Sequence, residues 1–333
     1  MNGDLRFRLL NDWQHDFPIV AAPFAAIGAA CGAGADTVLD AYRQLLAEGA
    51  ISRIGGVWGA GAAGAGLLCA FTVPPERLEA VAGVVSAHPG VNHNYEREHR
   101  RNLWFVVTGR DAAAVGAIVD ALEAQTGCTA LRLPMRRAYR IDLGFDLRGA
   151  VASRGRVAAA AAAPVEPADE PLAALLEDGL PLVARPYRVW AEASRLSEAQ
   201  VLATLGRWLR HGTLRRFGAI VRHHEAGFRH NAMTVFDVPD GVVDGCGEAL
   251  AAQRGVTLAY RRERADGWPY NLYCMVHGRD RGDVEAAIDA AIERSGLQQR
   301  ERAVLFSRRR FKQVGARHFS RPRASEGASH EPA

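Results

Sequence analysis

Lysine is nearly missing from this chain: of 41 basic residues, Lys312 alone is not arginine. Two readings fit that bias. A GC-rich genome favours arginine codons, since either cation serves on most solvated faces. A ligand bearing many carboxylates would also favour arginine, because a guanidinium can fork onto a carboxylate through two parallel hydrogen bonds. Cysteine is sparse too. Cys31, Cys69, Cys128, Cys246 and Cys274 show no CxxC pair and no metal-ligand spacing, so they read as reduced, structural thiols rather than a zinc site or disulfide framework. No stretch approaches the ~20 apolar residues of a membrane span. Asp4, Arg6, Arg8 and Asp12 interrupt the segment where a secretory leader would carry its apolar core, so a cytoplasmic location is expected. Neither a Ser-His-Asp order nor HExxH is visible. The glycine run GVWGAGAAGAG from Gly56 follows a strand-like wing instead of opening a βαβ helix; it reads as a flexible connection, not a phosphate loop.

What the chain does contain is itself, twice. Its 333 residues, 48% hydrophobic and 23% charged, suffice for two or more cores. Val38, Leu39, Tyr42, Leu45 and Leu46, followed by Gly49 and Ile51, recur as Val201, Leu202, Leu205, Trp208 and Leu209, followed by Gly212 and Leu214. The apolar positions form one stripe of an amphipathic helix, and the following glycine suits a left-handed cap. SRIGGV from Ser52 then matches RRFGAI from Arg215. AFTVPPERLEAV from Ala70 matches VFDVPDGVVDGC from Val235, VNHNYERE from Val91 matches VTLAYRRE from Val256, NLWFVVTGRD from Asn102 matches NLYCMVHGRD from Asn271, and RRAYR from Arg136 matches RRRFK from Arg308.

Each half therefore reads as helices and a wing followed by strand, helix, strand, strand, helix, strand. The expected fold class is α+β, a tandem repeat of winged helix-turn-helix plus ferredoxin-like (βαββαβ) domain. Boundaries are expected at 1–60 and 61–146 for the first half and at 172–226 and 227–319 for the second. An Ala/Pro-rich linker is expected at 147–171 and a disordered tail at 320–333.

This plan resembles the AsnC/Lrp transcription regulators. The particular residues are more specific. HNYERE followed closely by NLWF in the first half, with RHHEAGFRHNAM, AYRRER and WPYNLYCMVHGRD in the second, are together similar to the siroheme decarboxylases over nearly the whole chain, Leu9 to about Phe319. The resemblance implies removal of two acetate carboxylates from siroheme, giving 12,18-didecarboxysiroheme on the way to heme d1 or, alternatively, heme. It implies no separate cofactor, iron arriving within the substrate. The partners it implies are siroheme and homologous decarboxylase subunits, with no nucleic acid and no membrane, the two repeats forming an intramolecular pseudo-dimer with their sheets packed together.

Strand alternation puts His93, Tyr95, Arg97 and His99 on one face and Asn94, Glu96 and Glu98 on the other. Losing a carboxylate leaves electron density on the acetate methylene, which the macrocycle delocalises until a proton arrives. A histidine suits that delivery, and a hydrogen-bonded tyrosine can orient it. His93 and His99 are thus the acid/base candidates and Tyr95 the orienter, while Arg97 would hold a carboxylate that is not lost. The second half has Leu258, Tyr260, Arg262 and Arg264 at the matching positions, keeping Tyr and Arg without either His. It binds substrate, supports the sheet packing, does both, or forms a second, unequal site. His224 and His230, with His223, either line the same cleft, ligate the tetrapyrrole iron, or belong to a polar surface loop. His277 ranks lower, Trp104, Trp268 and Tyr273 read as packing before ring stacking, and Asn102 and Asn271 read as hairpin turn residues.

The rival reading is an AsnC/Lrp-type DNA-binding regulator, a heme-responsive one included. It needs a basic, polar recognition helix. The outward residues Asp36, Asp40, Arg43, Gln44 and Glu48 in the first half, and Glu198, Gln200, Thr204, Arg207 and Arg210 in the second, are poor material for one.

Overall fold

The computed structural model describes residues 3–141, 147, 162–222 and 227–319. The first repeat runs α1 (Gly3–Asn11), α2 (Pro23–Cys31), α3 (Ala35–Ala47), β1 (Ile51–Trp58), β2 (Ala65–Phe71), α4 (Leu78–Ala87), β3 (Val91–Arg97), β4 (Leu103–Gly109), α5 (Ala112–Thr126) and β5 (Leu131–Ile141). The second runs α6 (Glu170–Asp178), α7 (Pro186–Ser194), α8 (Glu198–Arg210), β6 (Leu214–Val221), β7 (His230–Phe236), α9 (Val243–Ala251), β8 (Val256–Arg262), β9 (Leu272–Gly278), α10 (Arg281–Arg294) and β10 (Arg302–Gln313). The fold is the expected α+β tandem repeat.

Local signals explain most boundaries. Val38, Leu39, Tyr42 and Leu45 of α3 and Val201, Leu205 and Trp208 of α8 are the buried stripes. Gly49 and Gly212, both at φ +72°, turn the chain out of these helices, a conformation that glycine adopts without a Cβ penalty. The aspartate of the shared GRD motif is an N-cap in each repeat: Asp111 accepts from the Ala114 N–H and Asp280 from the Asp283 N–H, both at 2.8 Å, satisfying an amide that the first helical turn leaves unpaired.

The two winged units share one core. β1 and β6 pair antiparallel, Gly55 opposite Gly218, so the wings bond to each other. Phe17, packed on Phe24 at 5.9 Å, meets Phe217 of the second repeat edge-on at 5.8 Å, and Phe217 in turn packs on Tyr187 and Trp190 at 6.4 and 6.3 Å. This region also contains a repeat that the helix stripe alone does not disclose: FPIVAAPF from Phe17 and LPLVARPY from Leu180 each lead into α2 or α7 with proline in the first turn. The outward faces are tied up in ion pairs. Arg43 bonds Asp40 at 2.7 Å, Arg6 bonds Glu48 at 2.5 Å, and Arg207 bonds Asp169 at 2.5 Å. Thr204 is buried rather than outward.

The ferredoxin-like halves do more than pack face to face. Their eight strands close into one barrel in the order β10-β3-β4-β2-β5-β8-β9-β7. Closure comes from exchange: β5 pairs with β2 of its own repeat and β8 of the other, and β10 with β7 of its own and β3 of the other. Leu68, Ala70, Trp104, Leu131, Leu133, Met233, Val235, Tyr273 and Leu305 pack inside. Outside, α4 and α5 cover the first sheet and α9 and α10 the second, each with its own apolar core.

Three local expectations change. The glycine run from Gly56 is not a loose connection; it comprises the end of β1, a turn with Gly61 at φ +81° and Gly64 at φ +125°, and the start of β2, with Ala62 and Ala63 buried. Asn102 and Asn271 do more than turn a hairpin. Each side chain brackets the backbone of the Val-Pro corner, Asn102 with both N–H and C=O of Val73 (2.9 and 2.8 Å) and Asn271 with those of Val238 (3.0 and 2.8 Å). Most of the expected linker and the tail from 320 fall outside the described residues, and α6 begins at Glu170, within the stretch expected to be linker.

Gly218 supplies a test of the shared winged core. A Cβ there would stand 2.3 Å from the Trp13 carbonyl oxygen and 2.6 Å from that of Gln14, backbone atoms held by the Ala219 N–H bond to Trp13. Gly218→Ala is expected to lower stability by about 1–3 kcal/mol, read as a reduced thermal midpoint, whereas Gly245→Ala, with open space around it, should not.

Candidate active site

The inner wall of the barrel at β3 carries the candidate site. Asn94 faces outward, donating to the Ala82 carbonyl and the Ser86 hydroxyl of α4 at 3.1 and 3.0 Å, so alternation turns His93, Tyr95 and Arg97 inward. Their rings and guanidinium follow one another, His93 stacked on Tyr95 at 6.3 Å and Arg97 over the Tyr95 ring at 5.5 Å. Arg97 is 7% exposed. It donates to the Leu305 carbonyl at 3.1 Å and approaches the Met275 sulfur at 3.9 Å, while its Nε has no partner. Burial pulls its pKa down to about 10, and burial with the nearby Arg97 charge pushes His93 down to about 4. The imidazole is therefore neutral near pH 7.

The second repeat forms a quasi-equivalent half-site. Arg262 donates to the Leu133 carbonyl at 2.8 Å, as Arg97 does to Leu305, and lies over the rings of Tyr260 at 5.2 Å and Tyr273 at 5.7 Å. Its Nε is also unpartnered, and burial lowers its pKa. Among the described residues, neither Arg97 nor Arg262 pairs with a carboxylate, whereas Arg132, Arg137, Arg261, Arg281 and Arg309 on the outer surface all do. Burying an unpaired cation costs several kcal/mol. Two such groups at matching places are an arrangement for an anionic ligand rather than for stability.

The remaining candidates are dispersed. His99 lies beyond the end of β3; its Nδ1 accepts from the Arg101 N–H at 3.0 Å and its ring meets the edge of Trp268 at 5.4 Å. Burial and then Arg101 lower its pKa. Arg264 lies past β8, bonded to Asp237 at 2.8 Å and Asp240 at 3.0 Å, and lines a separate surface hollow of about 430 Å³. His230 opens β7 exposed, on the strand face of Ala232, which packs against the helices. His223 and His224 lie outside the described residues. Trp268, on the longer hairpin 263–271 of the second repeat, plugs the barrel, donating to the Tyr273 hydroxyl at 2.7 Å and packing on Trp104 at 5.3 Å. Among the described residues, no group of three His, Cys, Asp or Glu is placed to hold a metal ion, and no helix is long and apolar enough to cross a membrane.

Sequence reasoning missed a polar strip beside Arg97. Ser307, opposite Arg97 in the ladder, donates to Asn231 Oδ1 at 2.7 Å; Asn231 stands opposite His277, which shares a 2.9 Å hydrogen bond with the Thr257 hydroxyl. The signal for it was weak, because each residue lies on a different strand.

Residues 62–140 and 225–312 match the AsnC-like ligand binding domain, and residues 7–51 and 169–215 match the siroheme decarboxylase NirDL-like HTH domain. The siroheme decarboxylase NirDL subunit of Paracoccus denitrificans (strain Pd 1222) is 39% identical over 314 residues, covering 94% of this chain and 97% of that protein. This chain belongs to the siroheme decarboxylase family. A crystal structure of siroheme decarboxylase NirDL in co-complex with an iron-uroporphyrin III analogue superposes with a TM-score of 0.65 at 27% identity, covering 95% of this chain and 94% of that one. The family also includes single-unit relatives that match less than half of this chain. The siroheme decarboxylase NirD subunit of Stutzerimonas stutzeri is 49% identical over 140 residues, 42% of this chain and 92% of that subunit.

The His93 shift fixes the sign of one pH effect. Between the ordinary histidine value of 6.5 and its depressed value of about 4, the unfolded chain holds a proton at His93 that the folded protein does not. That group's contribution to stability is therefore full above about pH 6.5 and is lost as pH falls through the window. Denaturant melts at several pH values should show stability rising with pH across it, and His93→Gln should flatten that rise. An unchanged slope would mean that His93 is not held neutral.

Proposed function

We propose that this chain is a siroheme decarboxylase, converting siroheme to 12,18-didecarboxysiroheme by removing two acetate carboxylates in the synthesis of heme d1 or, alternatively, heme. The observation that carries the reading is the pair of inward guanidiniums, on buried Arg97 and half-buried Arg262, that lack carboxylate partners among the described residues. A tetrapyrrole with several acid side chains supplies those partners, and iron arrives within it. Homologous decarboxylase subunits are the proteins most suited to associate with the chain.

In the proposed chemistry the bond between the acetate methylene and its carboxylate breaks. Carbon dioxide leaves, and the electron pair stays on the methylene, delocalised into the conjugated ring until a proton converts it to methyl. Each event consumes one proton and needs no oxidant. His93 delivers it, oriented by Tyr95, while Arg97 holds a carboxylate that is retained. A neutral His93 is not yet a donor. Burial and then the Arg97 field depress it; the substrate's negative charges oppose that field and favour the imidazolium, so binding draws a proton onto the ring. Tyr260 and Arg262 bind without a proton donor, Leu258 standing where His93 does.

The mixed and ion-paired outward faces of α3 and α8, together with the mutual pairing of the wings, favour this reading over a DNA-binding regulator.

Anaerobic incubation of the purified chain with siroheme, followed by mass spectrometry of the extracted pigment, is expected to show loss of two carbon dioxide units. His93→Ala should slow turnover by about 10²–10⁴-fold, whereas His99→Ala, whose ring packs on Trp268 rather than in the Tyr95 stack, should retain most of it. Tight binding without any mass change would reduce the chain to a siroheme-binding role. A second expected outcome is net proton uptake on siroheme binding, so that affinity weakens as pH rises. Binding with no proton exchange would remove His93 from the mechanism.

A further inference from the structure

The two repeats differ most informatively on the strands that they exchange. β5 and β10 carry the same outer face. Arg137 bonds Glu248 and Asp244 of α9 at 2.7 and 3.3 Å, as Arg309 bonds Glu79 of α4 at 2.8 Å. Tyr139 and Phe311 pack into the two helix–sheet cores. Arg140 caps the Ala251 carbonyl at 2.9 Å, and Lys312 caps those of Ser86 and His88 at 2.7 and 2.9 Å.

The inner face has diverged. Ala138 pairs with Tyr260 where Arg310 pairs with Tyr95, and Ile141 pairs with Leu258 where Gln313 pairs with His93. Directly opposed residues of an antiparallel pair project to the same side of the sheet. Arg310 and Gln313 therefore share the wall of Tyr95 and His93, joined to each other by a 3.1 Å hydrogen bond from Arg310 Nη1 to Gln313 Oε1. The same bias runs along the adjoining strands. Ser307 and Asn231 stand beside Arg97, where Met135 and Gly66 occupy the matching places beside Arg262. Conserved outer chemistry with a one-sided change of inner chemistry is what selection on a single ligand site leaves, since a purely structural strand has no reason to acquire a cation at one end only.

We propose that Arg310 and Gln313, delivered on β10 by the second repeat, are substrate-binding residues of the His93 site, gripping a tetrapyrrole side-chain carboxylate, and that the chain has one catalytic centre, the Leu258 end being unable to turn over. The inference rests on the decarboxylase reading. It assigns Arg310 to holding a retained carboxylate across the ladder from Tyr95, with Arg97 the next inward residue along β3, so that the macrocycle is fixed at two points on the wall that also carries His93. It also makes that centre a product of both repeats, because the histidine and these two anchors come from different halves.

The test uses the full chain and siroheme under anaerobic conditions, with absorbance titration for affinity and pigment mass spectrometry for turnover. Arg310→Ala is expected to weaken siroheme binding about ten- to a hundredfold, the cost of one charge-assisted hydrogen bond, and Arg310→Lys to restore part of it. Gln313→Leu should show a smaller loss, and the mirror-image change Ile141→Gln none. Circular dichroism and thermal midpoints confirm that each variant folds. Wild-type affinity and turnover in Arg310→Ala would overturn the assignment, as would turnover surviving His93→Ala but abolished by a change at Tyr260. If the wild type itself binds siroheme but removes no carboxylate, the decarboxylase reading fails while the affinity arm still decides the placement of Arg310.

Discussion

Each repeat ends in a strand whose second row of hydrogen bonds can be satisfied only by the other repeat. An edge strand left open presents unpaired N–H and C=O groups and invites association. Here β5 and β10 cross to β8 and β3, closing eight strands into a barrel with no free edge. Everything that follows depends on that exchange. It brings the Leu305 carbonyl within reach of Arg97 and the Leu133 carbonyl within reach of Arg262, tying each cation to the backbone of the opposite half.

Those cations set the electrostatics of the interior. Held in a low-dielectric wall with unpartnered Nε atoms, they destabilise the empty protein and preorganise it for an anionic guest. Burial and, after it, the Arg97 charge depress His93, which keeps its imidazole neutral in the empty protein. The stability they cost is offset by three apolar cores elsewhere, two under the helices and one shared by the winged units. The shared winged core shows how a helix-turn-helix plan is used here: pairing β1 with β6 and packing Phe17 against Phe217 turns surfaces that a regulator would keep apart into an interior.

The sequence disclosed more of the fold than of the site. Helix stripes of Val38 or Val201 type, the GRD caps and the βαββαβ order are local, and each was readable because a 3.6- or 2-residue period needs no knowledge of distant chain. The entry segment FPIVAAPF went unnoticed against LPLVARPY because few of its identities form a helical stripe, and the glycine run from Gly56 looked loose because the close packing of Gly59 against Gly212 involves the other repeat. On the site, His93, Tyr95 and Arg97 share a face by simple alternation. Alternation could not see that β3 ends at Arg97, which sends His99 to the Trp268 plug, nor that Asp237 and Asp240 lie ready to neutralise Arg264.

By itself, then, the sequence determined the duplication, the class of each element and the inward row on β3, all consequences of periodicity and of residue types meeting their near neighbours. Tertiary structure alone decided which cations stay unpaired, which strands stand beside which, and how Ser307, Asn231 and Arg310 come to border residues from the other half. The reason is physical. Pairing and desolvation depend on distance in space, and in a chain whose repeats exchange strands the nearest groups in space are far apart in sequence.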